Sequence, residues 1–212
     1  MYHFVTSSKD STIFLQQPTQ NTGLDEILEV SKVYYGNLKD ISRSLIKFDT
    51  NALSQSIVSG EVTMSSAHLL WKECDAIEIP LDYTIYAYPI SQSWDMGIGT
   101  RFDNITTDGV SWENRGAQSD SWVGDGSYLA GTTGSFNGKG GTWYTGSASS
   151  QSFSYQTEDI EMNVLEAMNT WIGGTIPNEG FIIKHSNSKE SDTSDYGQLK
   201  FFGKETSTIY PP

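Results

Sequence analysis

The chain has almost no cysteine. Cys74 stands alone among 212 residues, so no internal disulfide can form and the thiol reads as a small buried or half-buried side chain. Basic residues are scarce as well: 13 against 26 acidic ones give a formal charge of −13, which repels phosphate backbones and anionic lipid surfaces. Nucleic acid is therefore excluded as an expected partner. No apolar stretch approaches the ~20 residues of a membrane-spanning helix, so membrane insertion is not expected. Met1-Tyr2-His3-Phe4-Val5 runs at once into Thr6-Ser7-Ser8-Lys9-Asp10, which has neither the basic start nor the apolar centre of a secretory signal.

Catalytic signatures are missing too. No G-x-S-x-G, H-E-x-x-H, Walker or dinucleotide pattern occurs, and His3, His68 and His185 have no spacing relation to one another or to Cys74 that suggests a metal site. The three histidines are expected as ordinary surface or half-buried side chains. The chain is not expected to be an enzyme.

What it does have is aromatic and β-branched residues in short runs, 12% aromatic in all, with 20 glycines between them. Ser42 to Asp49 reads as a central strand, with Ile46 and Phe48 on one face and Leu45 and Lys47 on the other. Phe181 to Lys184 has the same look and is expected to lie beside it. Thr12 to Leu15 reads as a short edge strand, and Ile27 to Val33 as a strand turned back by Tyr34-Tyr35-Gly36-Asn37. Ala67 to Trp71, Tyr83 to Ile90 and Leu199 to Phe202 complete the strands. Both faces of the Tyr83 to Ile90 run carry large side chains, so its inward face stays open.

Asn51 to Gly60 and the acidic stretch Asn187 to Gly197 read as polar connections. The one expected helix follows Asn163, with Glu166 placed for a capping box, Val164, Met168, Trp171 and Ile172 on one side, and Gly173-Gly174 as its stop. Val123 to Ser150 is a long Gly-rich loop, and its Phe136, Trp143 and Tyr144 imply that part of it folds onto the rest. The fold class expected is all-β: a jelly-roll β-sandwich with one short helix and a long Gly-rich loop.

Several segments carry a family resemblance. Asp10-Ser11-Thr12 with Pro18, Asn21 and Gly23, the strand Ser42 to Asp49, Trp94 with Ser111-Trp112, Asn163 to Trp171 with Asn178, Gly180 and Ile183-Lys184, and Phe201 to Glu205 with Pro211-Pro212 together resemble a DNRLRE-type jelly-roll domain, which is similar to carbohydrate-binding-module sandwiches. The resemblance implies one domain over residues 1–212. The family's final strand normally follows the double proline, so the domain is expected to lack it, through truncation or because a neighbouring chain supplies it.

Gly140-Gly141-Thr142-Trp143-Tyr144 and the acidic, cysteine-poor character look most like the form found in structural proteins of tailed-bacteriophage virions. That resemblance implies a non-enzymatic component of a tail, neck, fibre or particle surface. Its partners would be other virion proteins and copies of itself, and its location the virion, assembled in the host cytoplasm. The alternative is a glycan-binding module of a cell-surface enzyme or adhesin, extracellular, in which Trp122, Trp143 and Tyr144 would contact host-surface glycan or another partner. No cofactor is expected. A structural Ca2+ remains as an option, with Asp103, Asp108, Asp120 and Asp125 as hard oxygen ligands whose spacing fits no EF-hand.

Overall fold

The longest strand, β3, organises the sheet around it. The computed structural model describes residues 2–77, 82–117, 120–123, 132–133, 139–153 and 159–207. In chain order the first half has β1 (Ser7–Phe14), β2 (Ile27–Tyr35), β3 (Leu38–Phe48), α1 (Asn51–Val58), β4 (His68–Trp71), β5 (Glu73–Ile77) and β6 (Tyr83–Pro89). The second half has β7 (Thr132–Thr133), β8 (Trp143–Tyr144), β9 (Ser149–Phe153), β10 (Ile160–Asn163), α2 (Leu165–Ile172), β11 (Phe181–His185), α3 (Asn187–Ser191) and β12 (Gly197–Phe202).

The fold is an all-β sandwich built on one large curled antiparallel sheet, ordered β5-β12-β2-β3-β11-β6-β9, with β1 also pairing β3. The expected pairing of the two remote runs is present: Phe181 faces Ile46, Ile182 faces Leu45 and Ile183 faces Ser44. The curl begins where β2 leaves β3. These two pair from Tyr35/Leu38 to Ser31/Ser42; beyond that β11 pairs β3 at Ser44–Ile46, while β1 runs along the other edge of β3 from Ser42 to Phe48. Small hydroxyl residues line that seam, where Ser31 Oγ and Ser42 Oγ lie 2.8 Å apart, Ser44 Oγ donates to the Glu29 carbonyl at 2.9 Å, and Glu29 N donates to Thr12 Oγ1 at 3.0 Å. Only short side chains allow the strands to close, and their hydroxyls replace the lost ladder bonds.

Alternation along β3 and β11 divides two cores. Ile46, Phe181 and Ile183 face the inner cluster with Leu28, Val30, Trp71, Ile85, Leu199 and Phe201, closed by Ala167, Met168 and Trp171 of α2. Leu45 and Ile182 face an outer cluster with Ile13, Ile41, Trp94, Trp112, Trp122 and Trp143. The open question about β6 is thereby answered: Tyr83, Ile85 and Ala87 point into the inner core, and Tyr88 packs against the outer one.

Several expectations need correction. Asn51 to Val58 is helical rather than a polar connection, because Leu53 packs on the inner core while its polar neighbours stay in water. The helix after Asn163 starts at Leu165. Asn163 Oδ1 accepts from Leu165 N at 3.0 Å, and no side-chain hydrogen bond caps Val164, so the capping box is not formed. The stretch from Asn187 opens with α3, capped by Ser186 Oγ accepting from Lys189 N at 3.3 Å, and then leads into β12. His185 is buried rather than near the surface, since it continues the inward row of Phe181 and Ile183 and lies between the rings of Tyr83 and Tyr196. Pro211-Pro212, which mark the expected missing strand, lie outside the described residues.

Candidate functional site

The outer core contains a set of charges that the inner core lacks at its centre. Arg43 projects from β3 on the same side as Ile41 and Leu45, and Lys184 projects from β11 beside Ile182. The Ser186 cap fixes the first turn of α3, which turns Glu190 back over the sheet. Arg43 Nε donates to Glu190 Oε1 at 3.0 Å and its Nη2 to Oε2 at 2.6 Å, a two-pronged carboxylate contact. Lys184 Nζ lies 3.0 Å from Glu190 Oε2 and donates to Asn187 Oδ1 at 2.9 Å and to the His185 carbonyl at 2.6 Å. Arg43 also donates to the carbonyl of Gly140.

Tryptophans roof the cluster. The Arg43 guanidinium lies 4.5 Å from the ring centre of Trp112 and 5.3 Å from that of Trp143, and Lys184 Nζ lies 4.8 Å from Trp143. Gly140 has φ +80°, and a Cβ there would come within 2.5 Å of Arg43 Nη1 and 2.8 Å of the Trp112 ring, so only glycine lets the chain pass. Burial, with Arg43 adjacent, lowers the Lys184 ammonium to about 7. Burial pushes the Glu190 carboxyl up, but Arg43 and Lys184 outweigh it and hold it below the usual range. All three side chains are buried. With its charged groups sealed from solvent, the cluster holds the covering chain in place through Arg43 and Gly140.

The residues expected from the sequence lie in different places. Trp122, Trp143 and Tyr144 are all buried, with Trp122 Nε1 donating to the Ser111 carbonyl at 3.0 Å and Trp143 forming part of the roof. Their rings are inside the protein, and the job the structure shows for them is packing. Asp103 Oδ2 accepts from Thr100 Oγ1 at 2.6 Å, Asp108 Oδ1 from Ile98 N at 3.4 Å, and Asp120 Oδ1 pairs with Arg115 Nη2 at 2.8 Å. Asp125 lies outside the described residues. Among the described residues no three His, Cys, Asp or Glu side chains gather as a metal site.

A second assembly was not anticipated at all. The buried Asn21 holds the segment 96–110 from inside: its Nδ2 donates to the carbonyls of Met96 at 2.7 Å and Val110 at 2.8 Å, and its Oδ1 accepts from Gly99 N at 2.8 Å. Asn21 N donates to the Thr106 carbonyl at 2.9 Å, Leu24 N to the Gly99 carbonyl at 2.9 Å, and Gln20 Nε2 to the Thr100 carbonyl at 2.7 Å. Gly97, at φ +74°, packs so close that a Cβ would come within 2.4 Å of Asn21 Oδ1. The outcome is a fixed loop with apolar side chains in water: Phe102 is 89% exposed, Ile105 73% and Ile98 69%. The sequence signal was Asn21 followed by Gly23, facing a distant run with Gly97, Gly99 and Gly109, a pattern that carries no marker of contact.

On another side, Ser149, Asn163, Glu166, Asn169, Thr170 and Thr175 line an open groove of about 580 Å³ beside α2. The chain matches no known protein-family model and no curated protein.

Proposed function

We propose that this protein is a non-enzymatic structural component of a bacteriophage virion, in a tail, neck, fibre or surface-decorating position, which acts by packing against neighbouring subunits. The observation that carries the packing role is the Asn21-held loop. Large apolar side chains on a loop fixed by so many hydrogen bonds lose little conformational freedom on docking, and a soluble chain gains nothing from exposing them otherwise. The virion assignment is supported by Gly140-Gly141-Thr142-Trp143-Tyr144 and the acidic, cysteine-poor character, which look like the virion form of the DNRLRE-type jelly roll. An ion cluster whose three side chains are all enclosed suits an architectural role.

The direct test is immunogold labelling of particles from the phage whose genome encodes the chain. Gold at one regular location supports the reading, and clean particles beside abundant free protein would overturn it. The groove beside α2 favours a second reading, a glycan-binding module, because its amides, hydroxyls and carboxylate suit sugar hydroxyls. A glycan array that shows binding lost in Asn169→Ala would shift the balance to it.

A further inference from the structure

The exposed loop has a defined chemical surround. Leu24, also exposed, is tied to the same loop by its amide, which donates to the Gly99 carbonyl. The adjoining charges are acidic. Asp103 follows Phe102 in the chain, Asp108 accepts from the Ile98 amide, Asp25 Oδ1 accepts from Arg101 N at 3.0 Å, and Glu26 is exposed beside it. The loop's one cation, Arg101, is already engaged: it pairs with Glu29 Oε2 at 2.8 Å and lies 4.0 Å over the Phe14 ring. Lys204, bonded through its amide to Asp10, is paired with Glu205.

We infer that this face is a docking surface for a different protein that presents an apolar patch rimmed by lysine or arginine. The inference deepens the architectural reading and rests on it for the setting, not for the contact itself. Charge complementarity selects the occupant. A second copy meeting the loop with its own loop would bring carboxylates against carboxylates on a chain that carries −13, and an anionic membrane would meet the same repulsion. A cationic rim gains from those acids while Phe102 and Ile105 supply the buried centre.

The test uses the whole chain and a fluorescent amphipathic leucine–lysine helix, with its leucine–glutamate counterpart as control, read by anisotropy. The lysine peptide should bind and the glutamate peptide should not. In Phe102→Asp/Ile105→Asp, both positions being exposed and the fold untouched, affinity for the lysine peptide should fall on the order of tenfold. That variant is more acidic than the parent, so unchanged or tighter binding would mean plain charge attraction and would overturn the proposal. Failure of the parent to bind would overturn it as well. So would binding of the parent to phosphatidylglycerol vesicles, or a dimer in sedimentation that the variant abolishes. None of these readouts depends on particle labelling, so the virion reading and the docking surface fail separately.

Discussion

The two faces of the β3–β11 pair are covered in opposite ways. On the inner face regular elements close over Ile46, Phe181 and Ile183: strands β2, β6 and β12, and helix α2. Its buried charged or titratable groups, Asp10 of β1, Lys32 of β2 and His185 at the end of β11, come singly from three different strands. On the outer face the cover is irregular chain, and it is held at separate points. Trp94 Nε1 donates to the Glu179 carbonyl at 2.9 Å, Trp122 to Ser111, and Arg43 to Gly140. A strand or helix satisfies its own backbone, so apolar rows are enough to dock it. A covering loop has no ladder, and each carbonyl it buries needs a donor from elsewhere. Long polar side chains and indole N–H groups supply those donors on the outer face, which is why charge is buried there.

The severest way to break this contrast is Glu190→Ala. It leaves Arg43 and Lys184 buried with no counter-charge and should cost about 3–5 kcal/mol in denaturant unfolding. Removing every charge of the cluster at once, in the triple variant Arg43→Met/Lys184→Met/Glu190→Leu, should recover most of that loss. A triple variant no more stable than Glu190→Ala would place the cost in the lost Gly140 anchor instead.

Next in size are the paired truncations Trp143→Ala and Ile183→Ala, each expected to cost about 3–4 kcal/mol. They should differ in kind. Trp143→Ala should also speed amide exchange over 139–144 below the global unfolding limit, whereas Ile183→Ala should lower protection evenly across β3, β6 and β11. Equal patterns would remove the distinction between faces.

Asn21→Ala should cost about 2–3 kcal/mol, because the part-buried carbonyl of Met96 and the buried one of Val110 lose their donor, with faster exchange concentrated in 96–110.

The smallest effect has the opposite sign. Burial raises the Asp10 carboxyl to about 6, with the Lys204 amide bond opposing. Between the ordinary 3.8 and about 6 the native state binds this proton more tightly than the unfolded chain, so this group's contribution to stability falls as pH rises through that window. Asp10→Asn should therefore stabilise the protein at pH 7 by about 2 kcal/mol. Burial lowers His185 from 6.5 to about 4, so its contribution is lost as pH falls through that range. The two trends oppose each other in the parent. In Asp10→Asn this opposing contribution is gone, so the midpoint should drop more steeply than in the parent on acidification from pH 6.5 to 4.

Much of the inner face was legible in the residue pattern. Ile46 and Phe48 against Leu45 and Lys47, the Phe181 run and the Met168–Trp171 side of α2 all follow from alternation or helical spacing. The outer face was legible only through the Gly-rich loop, whose Trp143 and Tyr144 imply that it folds onto the rest. Glu190 sits in a stretch, Asn187 to Gly197, that looks fully solvated, and it meets Arg43 from 147 positions away. The short helix that aims it depends on a serine cap too slight to stand out. α1, β5, β9 and β10 also passed unnoticed, because their apolar positions are few and the strands' pairing partners remote.

The order of residues by itself decided that this chain makes sheets, which strands are central and which of their residues share a face, because side-chain direction is set by the local backbone period. Whether Arg43, Lys184 and Glu190 are solvated or sealed, and whether Trp143 covers them or meets a ligand, was decided only in three dimensions. The energy of a charge or a ring depends on what lies within a few ångströms of it, and sequence distance carries no record of that.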